Sequence, residues 1–148
     1  MLRHVDPIIS AELLHVLMLM GHGDDIVVCD VNHPAETIAN ETTYGRLISV
    51  TGCKIPALTK AILALMPLDD FIEQPVMRMR VVSDADGVVP IFAAMQQLLD
   101  ESQGRPVNMG AYERFDFYAA AKQSFAIVRT SDPGPYGCFI IRKGVINA

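Results

Sequence analysis

The residues best suited to chemistry are His22, which stands between Gly21 and Gly23, and Asp30, which follows a few positions later. Two glycines leave the imidazole little shielded, and glycine adopts backbone conformations that other residues avoid. Because the ordinary pKa of histidine lies near ~6.5, the side chain can accept and donate protons at neutral pH. The pattern predicts a proton-transfer histidine. From these residues alone, a turn histidine followed by a capping aspartate is the alternative.

The elements that would position these two residues can be predicted from hydrophobic spacing. Apolar residues recur at helical intervals after Ser10, a suitable N-cap, and the helix is expected to end at Gly21. The apolar run 26–29 is typical of a strand that is buried on both faces. Asp30 therefore follows the carboxyl end of a strand, where open α/β sheets usually bind ligands.

The rest of the chain alternates between helical and strand patterns. Strands are expected over 46–50, 76–82, 125–129 and 138–142, and helices over 56–66, 91–99 and 115–123. No repeat, low-complexity tract or linker interrupts them. The alternation predicts an α/β fold, as a single three-layer domain over 1–148 with a central sheet flanked by helices.

The second half of the chain supplies candidate ligand-binding residues. Arg114 begins a predicted helix that includes Tyr118, and Tyr136-Gly137 follows a rigid Pro-Gly-Pro turn. Arginine and tyrosine hydrogen-bond the hydroxyls of sugars, and tyrosine also offers an aromatic face to their C–H groups. Taken one at a time, these residues are equally well explained as a solvated charge and half-buried packing aromatics.

Several other function classes lack support in the sequence. The chain has no dinucleotide or phosphate-binding glycine motif and no Gly-x-Ser-x-Gly hydrolase motif. His15, His22, His33 and Asp30 do not form a histidine pair at helical ligand spacing, so no metal is expected. The net charge of -5, without basic runs, argues against nucleic acid, and no apolar stretch is long enough to span a membrane.

Composition also bears on the location and the assembly of the protein. The three cysteines form no Cys-x-x-Cys pair, which fits reduced thiols in the cytoplasm better than disulfides. Apolar residues make up 51% of the chain, so surplus apolar surface is expected to be covered by further copies of the same chain.

Taken together, these motifs resemble the RbsD/FucU family, the ribose pyranases and fucose mutarotases. The resemblance spans nearly the whole chain, with only a loose match over 70–105. It rests on these segments: Leu13-Leu14, Met20-Gly21-His22-Gly23-Asp24, Asp30, Pro34-Ala35, Arg114-Phe115-x-Phe117-Tyr118, Ala121-Lys122-x-x-Phe125-Ala126-Ile127-Val128, Tyr136-Gly137 and Lys143-Gly144-Val145.

The resemblance implies roles for individual residues and an RbsD-like fold. His22 matches the family's proton-transferring histidine, and Arg114 matches an arginine of the fucose branch. The other residues to which the resemblance gives a sugar-binding or supporting role are Asp30, Tyr118, Tyr136, Gly137 and Cys138. Cys138 stands where the family has the asparagine of a Tyr-Gly-Asn turn, so the sugar itself is left open. His33 lies in a variable segment and is given no role.

The function implied is a monosaccharide mutarotase that interconverts the α and β anomers of L-fucose or a related sugar, without cofactor or metal. Asp30 would hold a sugar hydroxyl or orient His22. The resemblance also implies a homo-oligomer, such as a ring-like decamer, with sites near subunit boundaries. Two alternatives remain at this point: a D-ribose pyranase-type isomerase, and a non-catalytic monosaccharide-binding module.

Overall fold

Helices and strands alternate along the chain in the computed structural model, which describes residues 2–84 and 86–146. The helices are α1 (Ala11–Leu19), α2 (Ala35–Ala39), α3 (Ile55–Leu63), α4 (Pro90–Gln103) and α5 (Arg114–Lys122). The strands are β1 (Asp25–Cys29), β2 (Ile48–Ser49), β3 (Val76–Met79), β4 (Met109–Tyr112), β5 (Ala126–Arg129) and β6 (Cys138–Arg142).

The six strands form one mixed sheet in the order β2-β5-β1-β6-β3-β4. β1, β2 and β5 run in parallel, as do β3 and β4. β6 lies between β1 and β3 and is antiparallel to both. Five strands therefore point the same way, and the start of β6 lies beside the ends of β1 and β3. We call this side of the sheet the carboxyl edge and the opposite side the amino edge.

Helices cover both faces of the sheet, which confirms the predicted α/β architecture. Along β1, Ile26 and Val28 pack against α1, α3 and α4, whereas Val27 and Cys29 pack against α2 and α5. The period of two residues follows from the pleat of a strand, and it explains why the whole strand is apolar. The result is a three-layer arrangement.

Most predicted elements occur close to their expected positions. Ser10 caps α1 by accepting a hydrogen bond from the N–H of Leu13 at 3.1 Å. β6 has the predicted limits. The strand expected over 76–82 ends at Met79, and the one expected over 46–50 is reduced to Ile48–Ser49. The helix expected over 91–99 continues to Gln103.

Two elements were not expected from the sequence. Neither the helix α2 nor the strand β4 is among the elements predicted from the sequence. No helix within 2–84 and 86–146 is long and apolar enough to cross a membrane.

Candidate functional site

A cavity of about 290 Å³ opens at the carboxyl edge of the sheet. Its walls come from the ends of β1 and β3, the start of β6 and the first turns of α5. It is lined by Asp30, Asn32, His33, Met79, Val82, Arg114, Tyr118, Pro135, Tyr136 and Cys138. The structure thus brings together most of the ligand-binding residues predicted from the sequence.

Asp30 is buried and organises the floor of this cavity. One carboxylate oxygen accepts the backbone N–H groups of Asn32 and His33 at 2.8 and 3.0 Å, and the other accepts that of Gly137 at 3.0 Å. Burial raises the pKa of Asp30, although these N–H groups lower it in part. The carboxylate therefore ties the end of β1 to the turn before β6.

The turn before β6 depends on close backbone approach. A Cβ on Gly137 would lie 2.5 Å from Cδ1 of Ile55 and 3.3 Å from Cβ of Asp30, so a larger residue would force these groups apart. Tyr136 adopts a φ of 59°, which is unusual for a non-glycine residue and is often found at functional sites. Its hydroxyl accepts the N–H of Val82 at 3.1 Å and so holds the segment after β3.

Arg114 enters the cavity from the first residue of α5. Glu113 caps this helix by accepting the N–H of Phe115 at 2.8 Å, which fixes where Arg114 leaves the backbone. The guanidinium carbon lies 4.6 Å from the centre of the Phe115 ring. The Nε atom is buried and has no partner among the described residues. Since buried donors are normally bonded, this N–H is a group whose missing partner a ligand could supply.

His33 and Cys138 form one wall, and His33 is a residue that the sequence analysis left without a role. The Sγ atom of Cys138 lies 3.2 Å from Nδ1 of His33 and 3.7 Å from a carboxylate oxygen of Asp30. The His33 ring packs edge-on against Phe117 and Tyr118. Burial lowers the pKa of His33 to about 4, so its imidazole is neutral at neutral pH. Burial also raises the pKa of Tyr118.

His22 lies at the amino edge, in the exposed loop between α1 and β1. Its Nε2 atom is 3.1 Å from a carboxylate oxygen of Asp69, and its ring centre is 5.2 Å from that of Phe71. Asp69 has its side chain largely buried. Burial would raise the pKa of Asp69, but the N–H of Phe71 and the imidazole of His22 outweigh that effect and lower it. The sequence analysis missed Asp69 because it lies 47 residues from its partner.

Within one chain, His22 does not reach the cavity at the carboxyl edge. The five residues of β1 separate the loop of His22 from Asp30. At a rise of about 3.3 Å per residue, the strand alone spans roughly 16 Å. Asp30 therefore does not orient His22 in the same subunit, and the carboxylate that contacts this imidazole belongs to Asp69.

A larger cavity of about 470 Å³, on another part of the sheet, has a different character. Its two charged residues are paired with each other, since Arg142 binds both carboxylate oxygens of Asp25 at 2.8 Å. At the carboxyl edge, by contrast, Nε of Arg114 and Nε2 of His33 are buried without partners in the described part of the chain. Unsatisfied donors and acceptors favour the carboxyl-edge cavity as the binding site.

The four residues considered as metal ligands from the sequence do not cluster. His15 is exposed on α1, and His22 is separated by β1 from Asp30 and His33. Within 2–84 and 86–146, no group of three or more histidines, cysteines or carboxylates could hold a metal ion.

The fold and this site define a class of protein, and comparison with known families identifies it. Residues 3–146 match the model of the RbsD / FucU transport protein family. The chain belongs to this family, as its motifs had indicated.

Individual members of the family show which of its proteins this chain is similar to. The chain is 41% identical over 147 residues to the fucose mutarotase of Danio rerio, covering 98% of this chain and 94% of that protein. It is 39% identical over 149 residues to the fucose mutarotase of Homo sapiens, with the same coverage. Among solved structures, the fucose mutarotase of Streptococcus pneumoniae in complex with L-fucose is 36% identical, covers 99% of this chain and 100% of that one, and superposes with a TM-score of 0.88.

Proposed function

We propose that this protein is a mutarotase that interconverts the α and β anomers of L-fucose or a closely related monosaccharide. The observation that carries the proposal is the carboxyl-edge cavity, where Asp30, Arg114, Tyr118 and Tyr136 meet. The identity to fucose mutarotases over nearly the full chain supports the reaction type and the sugar.

The cavity suits a ring with hydroxyls on one side and an apolar surface on the other. Arg114 and Tyr118 offer hydrogen-bond donors, whereas Met79, Val82 and Pro135 present apolar groups. Asp30 is held ready by three backbone N–H groups, so its remaining lone pairs can accept a sugar hydroxyl without rearrangement. Binding in such a preorganised cavity avoids the entropy of ordering the wall.

The proton chemistry is assigned to His22. Mutarotation moves the proton of the anomeric hydroxyl to the ring oxygen as the ring C–O bond breaks. One imidazole nitrogen can accept this proton from the hydroxyl and then deliver it to the ring oxygen, after which the aldehyde rotates and the two transfers reverse. With Nε2 bonded to Asp69, Nδ1 is the nitrogen left to exchange a proton. The carboxylate fixes the tautomer and the orientation of the ring, as carboxylates commonly do for catalytic histidines.

The distance between His22 and the cavity leads to the second part of the proposal, that each site is shared between two copies of the chain. His22 of one subunit would cover the cavity of its neighbour within a cytoplasmic homo-oligomer. The amino edge carries apolar groups that suit such a contact: Phe71 beside His22 is 76% exposed, and Met18 at the end of α1 is 78% exposed. Covering the cavity with this surface would also exclude water from the reacting sugar.

The first experiment measures anomer exchange of L-fucose by saturation-transfer NMR with the wild type and His22→Ala. We expect the substitution to reduce the enzymatic acceleration by about 10²–10⁴-fold, the usual contribution of a positioned acid–base group. His15→Ala, which alters an exposed histidine on α1, is the matched control and should exchange at the wild-type rate. Wild-type protein that binds L-fucose but does not speed exchange would contradict the enzyme and favour a binding module.

The second experiment tests the shared site by mixing two inactive variants, His22→Ala and Arg114→Ala, after reversible dissociation. If the two residues act from different subunits, random reassembly at equal amounts restores about a quarter of the sites. A double variant carrying both substitutions on one chain is the control, because it cannot regain any site. Activity that fails to return in a mixed oligomer of normal size would place both residues in one subunit and overturn this part of the proposal.

A further inference from the structure

Residue 138 lies in the wall of the cavity, and it is a cysteine, whereas the Tyr-Gly-Asn turn that this segment resembles would place an asparagine there. An amide carries two donors and an acceptor oxygen, whereas a thiol has a single weak donor and ends closer to the backbone. The Cys138 side chain is only 3% exposed, and it is flanked by His33 and Asp30. The chemical surface offered to a ligand at this point therefore differs from that of an asparagine.

The thiol of Cys138 is already used inside the wall. Burial raises the pKa of Cys138 well above its ordinary value, so the group stays protonated and has one hydrogen to donate. In the tautomer of His33 that carries its proton on Nε2, Nδ1 at 3.2 Å is the nearer acceptor. Asp30 Oδ2, at 3.7 Å, is the acceptor in the other tautomer and is already bonded to Gly137. Whichever of the two accepts, the single S–H is not free for a ligand.

His33 is held in a fixed orientation by its surroundings. Its ring centre is 5.7 Å from that of Phe117 and 5.4 Å from that of Tyr118, both in edge-on arrangements. Its backbone N–H donates to Asp30 at 3.0 Å. An imidazole confined by two aromatic rings and an anchored backbone keeps Nδ1 directed at Cys138.

We propose that Cys138 and His33 form a specificity element for one ring position of the bound sugar. The imidazole holds the thiol by a hydrogen bond, so the sugar hydroxyl that faces residue 138 receives no hydrogen bond from it. This inference rests on the proposed mutarotase function and adds to it a substrate range. The protein accepts L-fucose and also analogues that lack, or have inverted, the hydroxyl facing residue 138. His33 is a positioning residue in this element, since it acts through the thiol.

The broad substrate range is expected because a hydrogen-bonding site and an apolar contact differ in how strongly they select a substrate. A site built to bond a substrate hydroxyl rejects the analogue without it by leaving a buried polar group unpaired, whereas an apolar contact discriminates weakly in either direction. Sulfur that is engaged elsewhere behaves as an apolar contact. Selectivity at that ring position is therefore low in this chain.

The test compares kcat/KM for anomer exchange of L-fucose with that of its three monodeoxy derivatives, which lack the ring hydroxyl at carbon two, three or four. Cys138→Asn is expected to raise the preference for L-fucose over one of the three by about 10- to 100-fold, because an unpaired amide then penalises the missing hydroxyl. The other two preferences should stay within about twofold. Cys53→Ser alters a buried cysteine outside the cavity and should leave all three preferences at the wild-type value.

If Cys138→Asn does not fold, Cys138→Ala serves instead. Because the thiol makes no bond to the sugar, its removal should leave all three preferences within about twofold of the wild type. A tenfold change in any preference with Cys138→Ala, or equal changes in all three with Cys138→Asn, would overturn the proposal. A wild type without any exchange activity would instead remove the proposed function on which it rests.

The role of His33 has its own readout, which does not depend on activity. The infrared S–H stretching band of Cys138, assigned from the difference between the wild type and Cys138→Ala, should lie at the low frequency of a hydrogen-bonded thiol. His33→Phe keeps the ring and removes both nitrogens, so the band should rise to the frequency of a free or weakly bonded thiol. A band that stays at the same frequency would show that Asp30, and not His33, holds the thiol.

Discussion

The two edges of the sheet are built in different ways. At the carboxyl edge, Asp30 and Cys138 are buried and bonded to their surroundings, and Tyr136 is tied to the segment after β3. At the amino edge, His22 projects from an exposed loop and its principal polar contact is Asp69. The first edge is shaped before a ligand arrives, whereas the second presents one reactive group on the surface.

In the proposed function, this difference separates recognition of the sugar from proton transfer. Residues that bind a sugar gain from a rigid wall, because less entropy is lost on binding. A proton-transferring imidazole needs to face the ligand and to be oriented by one partner, but it need not belong to the core. Substitution of a buried carboxyl-edge residue such as Asp30 should therefore affect both folding and activity, whereas substitution of the exposed His22 should affect activity alone.

The largest expected effect on stability comes from Asp30→Ala. This change leaves the buried N–H groups of His33 and Gly137, and the partly buried N–H of Asn32, without their acceptor, at about 1–3 kcal/mol for each buried group. We expect the free energy of unfolding in urea to fall by about 2–6 kcal/mol. His22→Ala is the amino-edge counterpart and should change it by less than about 0.5 kcal/mol. Equal losses in the two variants would remove the contrast between the edges.

The next effect is a pH dependence that originates at His33. Burial holds the pKa of His33 at about 4 in the folded protein, whereas the same side chain has a pKa of 6.5 in the unfolded chain. Between these values the unfolded state binds more protons, so stability is full above about pH 6.5 and falls as the pH drops toward 4. The loss amounts to about 3 kcal/mol. His33→Phe should flatten this part of the stability profile, and an unchanged profile would mean that His33 titrates normally.

The smallest expected effect is the loss of stability when a glycine at the carboxyl edge, but not one at the amino edge, is replaced by alanine. Gly137→Ala would place its Cβ 2.5 Å from Cδ1 of Ile55 and should destabilise the protein by about 1–3 kcal/mol. Adding Ile55→Val removes that methyl group and should recover part of the loss. At Gly21 the nearest atom to a new Cβ would be 3.7 Å away, so Gly21→Ala should be nearly neutral. The thermal unfolding temperatures of the three variants test this prediction. If Ile55→Val recovers no stability, the strain in Gly137→Ala does not come from contact with Ile55.

Sequence patterns correctly predicted the helices and strands whose apolar spacing is visible in their own residues. The apolar run of β1 and the amphipathic spacing of α1 and α5 predicted real elements. β4 was missed because Met109-Gly110-Ala111 has little strand propensity of its own. Its conformation comes from pairing with β3, where a Cβ on Gly110 would meet Met77 Sδ at 2.5 Å. The signal available was the glycine itself, since a strand glycine often marks close approach.

Contacts between residues far apart in the sequence also limited the prediction of the candidate site. Asp30, Arg114 and Tyr136 were predicted as site residues because each lies at the end of an element or in a motif. Asp69 and His33 were not, because their importance lies in contacts with residues 47 and 105 positions away. Such pairs depend on the topology of the sheet, which local spacing does not specify. The end of α4 could have been predicted from the sequence, because Gly104 follows it and a glycine in the left-handed conformation often ends a helix.

The position of β6 has a consequence for biosynthesis. β6 follows the other strands of the sheet in the chain, yet it alone bridges β2-β5-β1 to β3-β4. A nascent polypeptide that has emerged only as far as Arg129 can pair strands within each group, but it lacks the strand that joins the two groups into one sheet. Until Arg142 has left the ribosome, the two groups can therefore be connected only by packing of their helices and side chains. Only then can the sheet close and the carboxyl-edge cavity form.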